Sequence, residues 1–143
     1  MKVLLFYFFF FFSGFSWAID LKSSQQKLDS LLEQVKKHRE ENNEKLMLLD
    51  GKRAILIAES LGDNLTKAKV YVAIGNYYYD KNQSSVVAYD YYYKAYRAYS
   101  YEKQAEKMAK TLLRLAILEK NNRNFLKSKE SSFLALELLR GQS

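Results

Sequence analysis

Residues 71–95 read YVAIGNYYYDKNQSSVVAYDYYYKA, and their pattern decides the fold. Tyr71, Ile74, Gly75 and Tyr78 fall at i, i+3, i+4 and i+7, which is one face of an α-helix. After the polar stretch 80–85, Ala88, Tyr92 and Ala95 mark a second helical face. The pattern returns as Leu112, Leu115, Ala116 and Glu119, followed by Ser128, Ser132 and Ala135. Ala54, Ala95 and Ala135 recur at steps of 41 and 40, and Gly75 and Ala116 at a step of 41. A period near 40 with two helices per unit predicts a solenoid, because one pair cannot bury its apolar faces alone.

Working outward, the chain contains no Pro, and long apolar patterns of helical period run through it. The reading is all-α, an α-solenoid of about three antiparallel helix pairs at 21–61, 65–101 and 102–140. Six helices are expected, over 21–37, 44–61, 65–81, 85–101, 102–120 and 125–140. In the first, Leu28, Leu31, Leu32 and Val35 share a face. Gly62 is placed to take a left-handed conformation after the second, with Asp63 or Asn64 to cap the third. Ser84 or Ser85 caps the fourth, and Gly141 stops the last.

Residues 1–18 are set apart. Met1-Lys2 is a short basic start, 3–12 is an unbroken apolar run, and Ser16-Trp17-Ala18 offers small residues before a cut. This is the layout of a signal peptide, with cleavage after Ala18 and a mature chain of residues 19–143. The alternative is an uncleaved anchor, the one circumstance in which a membrane is a partner. Export to the periplasm or cell envelope of a bacterium is the expected location.

The sequence has no Cys and one His, His38, which leaves little for transition-metal sites or for Cys or His catalysis. His38 sits among Lys36, Lys37 and Arg39 and reads as a solvated turn residue. There is no phosphate-binding glycine loop, no His-Glu metal spacing and no nucleophile elbow. The expectation is therefore no enzyme, no metal and no cofactor. The net charge of +7 arises from Lys and Arg interleaved with Asp and Glu, which reads as a solvated exterior and not as a nucleic-acid surface.

At these residues the chain resembles a tetratricopeptide repeat protein of the longer, roughly 40-residue period. The resemblance covers 54–135 and implies that Gly75, Ala88, Ala116 and Ser128 are small where paired helices approach. It implies that Tyr71, Ile74, Tyr78, Tyr92, Leu112 and Leu115 fill the space between them, and that Ala95 and Ala135 let the next helix dock. It departs from that pattern at Ser132, where an aromatic is usual and Phe133 is expected to substitute. It departs again in the first pair, where Leu32 holds the small position and Gly51 the aromatic one. The chain is also similar to the N-terminal repeat regions of bacterial envelope sensors, in which a membrane helix and a histidine kinase follow. That similarity implies a truncated relative or a fragment, with a sensory input role.

Eleven of twelve tyrosines lie in 71–101, including the runs 77–79 and 91–93. Three consecutive helical residues span about 200° of the circumference, so no such run is buried in one seam. Tyr78 and Tyr92 are assigned to the core, Tyr79 to a groove, and Tyr77, Tyr91 and Tyr93 to seams or the outside. Asn76, with Lys69, Val72 and Tyr79, shares the groove face of the third helix. Lys110, Leu113 and Ile117 are the equivalents on the fifth. Lys and Asn converging there would resemble the clamp by which relatives grip a terminal carboxylate. The expected function is an interaction scaffold for a protein or peptide. A carbohydrate-binding solenoid using exposed Tyr is the alternative from another class. The last helix carries Phe133, Leu134, Leu136, Leu138 and Leu139, more apolar residues than one neighbour can cover. A further repeat, a second chain or a partner is therefore expected over it, and the isolated chain is expected to self-associate through it or to fray there.

Overall fold

The computed structural model describes residues 3–81 and 84–141, with side chains from residue 20 onward. Among these residues the chain is six α-helices and no strands: α1 (Val3–Glu40), α2 (Glu44–Leu61), α3 (Asn64–Asp80), α4 (Ser85–Tyr101), α5 (Ala105–Asn121) and α6 (Phe125–Arg140). Consecutive helices pack on one another. Contact is most extensive within α1–α2, α3–α4 and α5–α6, so the molecule is a helical-repeat solenoid of three pairs. The expected start at residue 21 falls inside α1. The proposed signal segment, 1–18, lies outside the side chains described. Among the described residues no helix is long and apolar enough to cross a membrane.

Local chemistry fixes the helix ends. Asn43, Asp63, Ser84 and Asn124 each accept, through a side-chain oxygen, a hydrogen bond from the backbone N–H three residues on. Each satisfies a donor that the first helical turn leaves orphaned. Gly62 closes α2 at φ +69°, where a side chain would be strained. Asn42, Lys103 and Arg123 take similar left-handed conformations in their turns. The fifth helix begins at Ala105, three residues later than expected, because Lys103 turns the chain first. Gly141 follows α6 in a right-handed conformation and so acts as an end residue without a left-handed turn.

The core lies along the seams. Leu28, Leu31, Leu32 and Val35 of α1 meet Met47, Ala54 and Ala58 of α2 and Val70, Ile74 and Tyr77 of α3. A Cβ on Gly51 would come within 3.0 Å of Ile74 Cδ1, so this glycine lets α3 close on α2. A second cluster joins Ala88 and Tyr92 of α4 to Ala109, Leu112, Leu115 and Leu118 of α5 and Ala135 of α6. In the α3–α4 pair a Cβ on Gly75 would lie 2.9 Å from the Tyr92 ring. The missing side chain is what admits that fully buried ring. In the α5–α6 pair the small–large match is relaxed. Ala116 replaces Gly75, Ser132 replaces Tyr92, and Ser128 donates to the Ala116 carbonyl at 2.8 Å. Phe133 does not substitute for the absent aromatic. It is exposed, because a neighbouring helical residue points about 100° away from the seam.

Candidate functional site

The tyrosines divide by position. Tyr92 is buried, and Tyr77 is buried where α3 meets α1 and α2. Tyr91 stands between Tyr71 and Tyr78, one α-helical heptad apart on α3. Its ring centroid is 6.2 Å from the first and 6.3 Å from the second, and nearly parallel to the second. Tyr78 is half-buried, and its hydroxyl donates to Glu44 at the start of α2 at 2.6 Å. Burial, with that carboxylate beside it, pushes its ionisation well above the ordinary tyrosine range. Most of the aromatic cluster thus holds pairs together. Tyr93 and Tyr101 remain exposed.

Two buried carboxylates tie the helices. Glu119 of α5 accepts from Tyr89 of α4 at 3.2 Å and from Ser131 of α6 at 2.8 Å. Burial raises the Tyr89 pKa, and Glu119 adds to the shift. Asp50 of α2 lies 3.2 Å from Arg53 and 3.3 Å from Nε2 of His38, whose Nδ1 is 3.3 Å from Glu41. His38 is therefore a half-buried bridge at the α1–α2 end and not a solvated turn residue. The sequence could not show this, since its partner Asp50 comes from the next helix. No cluster of three or more His, Asp or Glu side chains suited to a metal occurs among the described residues.

On the groove face Asn76 is half-buried, and its Oδ1 accepts from the Tyr92 hydroxyl at 2.8 Å. Arg114 of α5 reaches the same hydroxyl at 3.5 Å, with its guanidinium 5.7 Å from the ring centroid. Burial raises the Tyr92 pKa while Arg114 opposes it, so the phenol stays protonated and donates. The structure thus brings Asn76, Tyr92 and Arg114 together from three helices. Lys110 pairs instead with Glu106 along its own helix, and Lys69 is exposed without a contact to Asn76. Sequence reasoning missed Arg114. The signal available was its place one turn after Lys110.

Val72 is half-buried against the cluster of Ala68, Ala95, Ala98 and Tyr99, which leaves it a partial presence on the face. Leu113 and Ile117, one turn apart on α5, are exposed. Tyr79 is half-buried and, with Tyr78, Asp80, Ser85, Leu118, Asn121 and Asn122, lines a cleft of about 560 Å³ at one end of the α3–α5 face. No protein-family model, curated protein or solved structure matches the chain.

Proposed function

We propose that the chain is an exported interaction module of tetratricopeptide type, gripping an extended protein or peptide segment along the α3–α5 face. The observation that carries this is on α5. Leu113 and Ile117 stay 43% and 45% exposed while Leu112, Leu115 and Leu118 beside them are buried. Next to that apolar pair stands the Asn76–Tyr92–Arg114 set. Among the described residues Arg114 has no carboxylate partner. The combination favours a segment with apolar side chains and a carboxylate, the usual division between area and orientation in a binding site.

A screen of immobilised linear peptides tests this. Selected peptides should lose binding to Leu113→Glu and Arg114→Ala variants whose melting temperatures are unchanged. Binding indifferent to both substitutions would sink the reading. Export rests on residues 1–18, and N-terminal sequencing from an envelope fraction should begin at Ile19. Retention of Met1 would favour the anchor. The cleft at Tyr79 supports a second reading, a saccharide site. A tyrosine face beside Asp80, Asn121 and Asn122 offers stacking and paired hydroxyl contacts. Glycan-array binding lost in Tyr79→Ala would favour it over the peptide.

A further inference from the structure

The two ends of the solenoid differ. On α1 the exposed residues from Lys22 to Lys37 are all polar or charged, with Leu21 exposed just before them. On α6, Phe125, Leu126, Phe133, Leu136 and Leu139 are 64%, 70%, 61%, 44% and 42% exposed. At 100° per residue these five fall within one sector of about 140°, whose edge at Leu139 lies about 40° from Ala135, the residue that meets α5. The internal repeat shows what such a flank ordinarily meets. Leu136 and Leu139 occupy the positions of Tyr96 and Tyr99 forty residues earlier. There Tyr96 packs against the cluster that joins α4 to α5, and Tyr99, only 6% exposed, belongs to a cluster against which Met108 of α5 packs. Among the described residues no helix lies on the same flank of α6.

We propose that a second copy of the chain covers this face, α6 against α6′ about a two-fold axis. A head-to-tail contact would set this patch against α1, which exposes only polar side chains between Lys22 and Lys37, whereas a two-fold contact sets the patch against itself. The area is sufficient. Five apolar side chains of roughly 150–200 Å² each, at these exposures, present about 500 Å² per copy. That is about 1,000 Å² across the pair before Lys129, Ser132 and Arg140 add to it, the lower bound for a specific interface.

The full chain, produced with export, is examined by sedimentation across concentration. A dimer is expected, and Phe133→Glu and Leu136→Glu should each weaken it at least tenfold while leaving the helical melting transition in place. Val86→Glu, on the equivalent outward position of α4, should leave it intact. The chain has no cysteine, so a spin label at Ser132→Cys reports the geometry. Labels at 132 should lie close together across the dimer, and labels at Ser30→Cys far apart. A monomeric wild type at about 100 μM, a dimer that survives both α6 substitutions, open-ended growth with concentration, or closer labels at 30 than at 132 would each overturn the proposal.

Discussion

Gly75 and Tyr92 act as one unit. The ring lies where a Cβ would be at 2.9 Å, so neither residue tolerates a change made alone. Gly75→Leu should destabilise the chain by about 1–3 kcal/mol or more through overpacking, read as a lower urea midpoint. The α5–α6 pair supplies a control, since it joins Ala116 to a helix carrying Ser132 at the Tyr92 position. Gly75→Ala combined with Tyr92→Ser should therefore cost less than the sum of the two single changes, as contacting residues are not additive. Strict additivity would show that the contact is absent. The small residue at 75 was legible from the repeat. Arg114 was not, because its significance depends on a hydroxyl 22 residues away that only folding brings beside it.

Between elements, hydrogen-bonded carboxylates supply orientation that apolar contact does not. Glu119 accepts from α4 and α6 at once, so Glu119→Ala leaves two donors without a partner. A loss of about 1–3 kcal/mol is expected, with greater susceptibility of α6 to proteolysis. At the α2–α3 junction Asp63 behaves differently. Burial works to raise its pKa, but hydrogen bonds from the Thr66 side chain and backbone outweigh it and hold the group below 3.8. A depressed folded-state value means that Asp63 contributes stability above the unfolded pKa. That contribution is lost as pH falls through the folded one. The urea midpoint should therefore fall more steeply below about pH 4 in the wild type than in Asp63→Asn, which keeps a capping oxygen but does not titrate. Parallel profiles would remove Asp63 from the account. The cap was readable beforehand as one of two residues, Asp63 or Asn64. The choice is settled by Asn64, whose amide turns instead to Glu102 at 3.0 Å.

Across the whole molecule the helix count, pairing and small-residue positions were legible because they rest on periodicity and local turn chemistry. Three features were not: the upstream extent of α1, the His38–Asp50 bridge, and the exposure of Phe133. The last two depend on which side of a helix meets a neighbour, and a one-residue difference there moves a side chain by about 100°. That same geometry sets how stability is distributed. α3 buries seven residues against helices on both sides, while α6 has only Ala135 buried among its described residues. In a solenoid each unit is held chiefly by its neighbours, so a terminal helix with one neighbour opens at a smaller free energy than the centre. Native-state hydrogen exchange should show α6 amides exchanging through a local opening, well below the protection of α3 and α4. The measurement belongs in the Phe133→Glu variant at low concentration, where association cannot add protection. Equal protection across α3, α4 and α6 would mean that the single α5–α6 seam, with Ser128 and Ser131 bonded across it, is as strong as the two-sided packing at the centre. The gradient inferred from burial would then be wrong.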